Sequence, residues 1–125
     1  MVQTDISQLS AECSEWRQIL RNYKEEFNDA VKALQEICRK SISKDQLPEV
    51  EHFDNQFHIQ LINIHDLKQA IKSHERRIET ESSTREISET TFSQHEELLE
   101  KFLILENTLQ ELRNDFKMFI SAVSC

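Results

Sequence analysis

Ile6, Cys13, Leu20, Phe27 and Leu34 stand seven residues apart, and Leu9, Trp16, Tyr23, Ala30 and Ile37 form a second seven-residue series offset by three. No position is skipped over five heptads. An α-helix turns once in about 3.6 residues, so this spacing puts both series on one side of a rod. The result is a continuous apolar seam that has to be buried against other helices. A helix over about residues 5–40 would be roughly 50 Å long. Thr4 or Asp5 can cap its first N–H groups. The rings in the seam need wide holes, which points to three or more helices rather than a narrow two-stranded coil.

The pattern restarts twice. The stretch SISKDQLPEVE interrupts the first helix, with Ser41, Ser43 and Asp45 available for turning and capping. Pro48 suits the first turn of a new helix, and Glu49 and Glu51 favour its positive end. The second helix, about 48–81, carries Val50, Phe57, Ile64, Ile71 and Ile78 in one series and Phe53, Gln60, Leu67 and His74 in the other, with Leu61 widening the face. Gln60 and His74 interrupt the apolar seam. Polar seam residues either fix register and partner choice or sit at the seam edge and reach water.

Residues 79–91 are polar apart from Ile87. Ser83 and Glu86 have capping-box spacing, so either a short turn lies near Ser82–Thr84 or the helix runs straight through. The third helix, about 86–123, carries Leu98, Leu105, Leu112 and Phe119 in one series and Phe102, Leu109, Phe116 and Val123 in the other. Leu99, Leu103, Ile104, Met118 and Ile120 add apolar surface beyond a two-line seam, which suits a partner chain or a central place in a bundle.

Composition agrees with helices. The chain has no Gly and one Pro, so the tight turns and phosphate-cradling loops that depend on Gly are excluded. The fold expected is all-α, with three long antiparallel helices in one coiled-coil-like bundle spanning 1–125 as a single domain. The net charge is −8, and no segment carries a Lys/Arg stripe able to neutralise phosphates. Nucleic acid and anionic membrane surfaces are therefore disfavoured as partners, and basic protein surfaces are favoured. The three cysteines, Cys13, Cys38 and Cys125, are odd in number and widely spaced, which fits a reducing, intracellular compartment better than a disulfide framework. No apolar run is long enough to span a bilayer.

No catalytic, cofactor or metal site is expected. His52, His58, His65, His74 and His95 show no His-Glu-x-x-His or His-x-x-x-His spacing, and His58 and His65 are two helical turns apart, about 10 Å, too far to share one ion. The many carboxylates read as solvated helix faces. The residues expected to matter are packing residues: Trp16, Leu20, Tyr23, Phe27, Phe57, Ile64, Ile71, Phe102, Leu105, Leu109 and Phe116.

The early Trp16 in EWRQIL, the HERRIE stretch at His74–Glu79 and the down-up-down order of three heptad-patterned helices resemble a spectrin repeat. The resemblance covers nearly the whole chain. It departs from the repeat in the length of the first helix and in the third helix, where Phe102 or Leu105 stands in place of a mid-helix Trp. It implies a non-enzymatic spacer or docking unit in a cytoskeletal or linker assembly, cytoplasmic or at the nuclear envelope. The partners would be other proteins, engaged through helical seams in homo- or hetero-oligomers. The pattern is also similar in style to subunits of obligate coiled-coil complexes of the kinetochore or nuclear-pore type.

Overall fold

The computed structural model describes residues 6–39, 43–84 and 86–123. It consists of α1 (Ile6–Arg39), α2 (Leu47–Ser82) and α3 (Glu89–Val123), packed against one another, with no strand among the described residues. This is the all-α three-helix bundle that the heptads require. Thr4, Asp5, Ser41 and Cys125 fall outside the described residues.

Ring contacts fix the helix directions. Phe27 on α1 meets Phe57 on α2 with centroids 5.0 Å apart, while Cys13 lies beside the α2–α3 pair His74 and His95, so α1 and α2 run antiparallel. Phe53 meets Phe119 at 5.1 Å and His74 meets His95 at 5.1 Å, so α2 and α3 are antiparallel as well. The outer helices α1 and α3 are consequently parallel. They are tied at one level by Glu12 and His95 and at another by Glu26 and Arg113.

The seam residues form the core. In α1, Leu9 to Leu34 are buried in both series; in α2, every seam position from Val50 to Ile78 is buried. Each fully buried Leu, Ile or Phe contributes about 1.5–3 kcal/mol by leaving water. Gln60 and His74 are buried with the rest, which removes the reading in which they lie at the edge and reach water. Gln60 Oε1 accepts a hydrogen bond from Asn63 Nδ2 at 3.1 Å, which spares the amide part of the cost of burial.

The second junction is a true break. α2 ends at Ser82, and Ser83 turns its hydroxyl back onto the Thr80 carbonyl. The cap expected from Ser83 and Glu86 does not form, and α3 starts at Glu89 rather than near residue 86. Ser88 does the capping: its Oγ accepts from the Thr91 N–H at 3.1 Å. Ile87 and Phe92, both half-buried against the core, occupy the positions of a hydrophobic staple around that cap. Glu81 reaches across from α2, accepting from the Ser88 N–H at 2.7 Å and from the Thr91 hydroxyl. Ser83 serves the end of α2, so Ser88 is left to begin α3.

Candidate functional site

Two features of the bundle could do chemistry or recognition. One is a polar layer inside the core, and the other is the apolar surface left outside it.

The polar layer lies where three seams cross. Cys13 belongs to the first series of α1, His74 to the second series of α2, and His95 is one heptad before Phe102 on α3. All three are buried. His95 Nδ1 lies 2.9 Å from His74 Nε2 and 4.0 Å from Cys13 Sγ, and its Nε2 lies 2.7 Å from Glu12 Oε1. A carboxylate can only accept, so His95 carries hydrogen on Nε2. With the His95 ring neutral, Nδ1 accepts in turn and His74 Nε2 donates to it. Nδ1 of His74 is buried and has no hydrogen-bond partner among the described residues. Trp16 covers the layer, with its ring centroid 4.8 Å from that of His95 and 5.9 Å from that of Phe102. Arg17 and Glu75 pair beside it, linking α1 to α2.

Burial controls the electrostatics. It pushes the Cys13 thiol up to about 12, helped by the charges of Glu75 and Glu12 and opposed by Arg17. It also pushes His74 below the ordinary imidazole value, with His95 and Arg77 acting in the same direction and Glu81 and Glu75 opposing. Cys13 is therefore a thiol and His74 a neutral ring near neutral pH.

Cys13, His74 and His95 together form the kind of donor set that can hold a metal ion. His52, His58 and His65 are exposed, whereas His74 and His95 are buried. The signal was periodic. Stepping back seven from Phe102 gives His95, and stepping back seven from Leu98 gives Thr91, also buried. Local spacing could not reveal the cluster because each member comes from a different helix. The one Glu-x-x-His spacing in the chain, Glu49 to His52, falls on exposed positions of α2.

Of the anticipated packing residues, Trp16, Leu20, Tyr23, Phe27, Phe57, Ile64, Ile71, Phe102 and Leu109 are buried, while Leu105 and Phe116 are half-buried against the core. Phe27, Phe53, Phe57, Phe116 and Phe119 form one aromatic cluster at the opposite end from the polar layer. Between α1 and α3 an apolar cleft of about 250 Å³ opens over Phe27, Phe57 and Phe116, bridged by Glu26 and Arg113.

The surplus apolar residues of α3 divide. Ile120 packs against the core, whereas Leu99, Leu103, Ile104 and Met118 are exposed. Leu99 and Leu103, one turn apart, share a face with the acidic neighbours Glu96 and Glu100. Ile104 is turned by about 100° from Leu103, on another flank. Among the described residues, no helix is long and apolar enough to cross a membrane.

The three-helix bundle is compatible with a spectrin-like fold. No family model matches the chain, and neither the curated proteins nor the solved structures gave a significant match.

Proposed function

We propose that this protein is a non-enzymatic helical module that serves as a spacer or docking unit for other proteins. The observation that carries the reading is the closure of the seams within a single chain: most heptad positions of α1, α2 and α3 are buried against one another, and Ile6, Ile37, Leu105, Phe116 and Val123 are partly buried against that core. A self-closed rod of this kind is available for docking on its outer faces. The cytoskeletal or linker role implied by the spectrin resemblance belongs to this reading.

The docking face is the Leu99–Leu103 pair with Glu96 and Glu100 around it. Its occupant is an amphipathic helix of another protein that brings apolar anchors and flanking Lys or Arg residues. Charge favours such a partner over a second copy, because this chain carries −8 overall and would set acid against acid.

The test is titration of isotope-labelled protein with two model helices, one of Leu and Lys and one of Leu and Glu. Saturable shifts centred on Leu99 and Leu103 with the basic helix only, lost in the Leu99→Asp/Leu103→Asp variant at unchanged Tm, support the reading. Equal response to both helices, or indifference to the double substitution, removes it.

A second reading, an obligate subunit of a larger coiled-coil complex, draws on Ile59, Ile62, Ile104 and Met118, which stay exposed outside the bundle. A molar mass that rises with concentration would favour it. A constant monomer with one cooperative unfolding transition would leave the self-contained module.

A further inference from the structure

We propose that Cys13, His74 and His95 form a zinc site at the level where the three helices cross, with one ligand from each helix and Glu12 as the carboxylate that orients His95. This goes beyond the docking role and does not depend on it.

Distances are the first support. Sγ of Cys13 and one nitrogen from each imidazole all lie within 4.8 Å of one another. The two ring nitrogens are 2.9 Å apart, and Sγ is 4.0 Å from His95 Nδ1. A tetrahedral zinc with Zn–N near ~2.05 Å and Zn–S near ~2.3 Å needs N···N of about 3.3 Å and S···N of about 3.6 Å. The rings have to part, and the sulfur to approach His95, by about half an ångström, while the third edge, Sγ to His74, spans up to 4.8 Å and has to shorten by roughly 1 Å, which rotation of the Cys13 and His74 side chains supplies. Two imidazoles and a thiolate suit a borderline-soft ion.

The outer contacts are the second support. A histidine that binds zinc through one nitrogen commonly donates its other N–H to a carboxylate, which fixes the tautomer and raises the ring's basicity. His95 already has that arrangement, with Nδ1 facing His74 and Cys13 and Nε2 on Glu12 at 2.7 Å. Charge closes as well: a dication, the Cys13 thiolate and the Glu12 carboxylate sum to zero around two neutral rings, and the adjacent Arg17–Glu75 pair cancels itself.

The third support is access. A cleft of about 320 Å³ between α2 and α3 is lined by Ser73, His74, Arg77, Gln94 and Leu98. Of the three ligands His74 lines it, so it brings solvent up to that edge of the layer, the side from which an ion and a fourth, water ligand would enter.

On binding, hydrated Zn²⁺ sheds all but one of its waters, and one Zn–S and two Zn–N bonds form. The Cys13 thiol releases its proton to solvent. The hydrogen on His74 Nε2 moves to Nδ1 of the same ring, the atom with no partner among the described residues. No oxidant or reductant is involved.

The test uses the full chain with Cys38→Ser and Cys125→Ser, leaving Cys13 as the sole thiol. Co²⁺ is the spectroscopic probe and Zn²⁺ the competitor. The expected result is one Co²⁺ per chain, visible bands of tetrahedral intensity, a near-ultraviolet thiolate-to-cobalt band that Zn²⁺ displaces, and a rise in Tm with Zn²⁺. Cys13→Ser should abolish the thiolate band. Glu12→Gln should retain it while weakening affinity ~10- to 100-fold. If Cys13→Ser fails to fold, the thiolate band and the Zn²⁺-dependent Tm of the parent decide alone. Absence of that band together with a Tm that excess Zn²⁺ leaves unmoved overturns the site. So does binding that ignores Cys13→Ser, which would place the ion on the exposed His52, His58 or His65.

Discussion

Arg113 on α3 holds both carboxylate oxygens of Glu26 on α1, with Nε 2.7 Å from one and a terminal nitrogen 2.8 Å from the other. The same guanidinium lies 4.6 Å above the centroid of the Tyr23 ring. This clamp ties the two parallel helices across the apolar cleft between them. Both charged side chains remain partly in water, so the ion pair alone contributes only ~0.2–1 kcal/mol, and the ring contact adds roughly 0.5–1 kcal/mol. Arg113→Ala should therefore lower stability by about 1–2 kcal/mol. Arg113→Lys should recover little of it, because an ammonium cannot make the fork. Chemical denaturation of both variants checks this, and recovery of most of the loss by Lys would count against the fork.

Phe27 sits against Phe57 and Tyr23 in the aromatic cluster. Phe27→Asp removes that packing and places an unpaired charge there, at a cost of about 4 kcal/mol or more. Far-UV circular dichroism should show a protein largely unfolded or melting far below the parent. Glu97→Lys, on an exposed position, should stay within about 0.5 kcal/mol of the parent. Parent-like melting of Phe27→Asp would contradict the placement of the α1 seam.

Capping at the second junction separates two serines. Ser88→Ala should cost ~1 kcal/mol because the Thr91 N–H loses its acceptor. Ser83→Ala, which loses only a local bond to the Thr80 carbonyl, should cost less than about 0.5 kcal/mol. Equal effects in thermal melts would argue against Ser88 as the cap.

Glu81 gives the junction a pH dependence. The Thr91 hydroxyl and the Ser88 N–H hold its carboxyl below the ordinary carboxylate value, with Arg77 adding to the effect and desolvation opposing. A depressed folded-state pKa contributes stability that is fully present above the unfolded value, near ~4.3, and is lost as pH falls through the folded one. Glu81→Gln should be less stable than the parent at neutral pH. The gap should narrow in acid, as pH falls below the unfolded value and through the lower folded one. Melting curves from pH 7 downward measure this, and a gap that stays constant with pH would assign the effect to something other than ionisation.

How much of this was legible in the sequence follows from how local each signal is. Leu20, Phe27, Ile64, Ile71 and Leu109 announce themselves because a seven-residue period survives in any one helix read alone. Helix ends were placed to within a few residues where Pro48 marks a start. At the α2–α3 junction the spacing points to Ser83, and only the fold shows that Ser83 is occupied by the end of α2 while Ser88 caps α3. The polar layer was hidden for another reason. Thr91 and His95 continue the α3 seams, but polar side chains in seam positions made the pattern seem to begin at Leu98. The periodicity puts Cys13 and His74 on their seams, yet nothing in one helix says which residue of another will stand at its level.

An odd number of helices sets the start of α1 and the end of α3 at opposite poles of a rod roughly 50 Å long. Opposed forces on those two poles would drag the parallel outer helices past each other lengthwise, loading the Glu26–Arg113 clamp and the Glu12–His95 bond in shear rather than peeling them one at a time. Such a shape resists tension along its axis far better than a hairpin pulled from a single end.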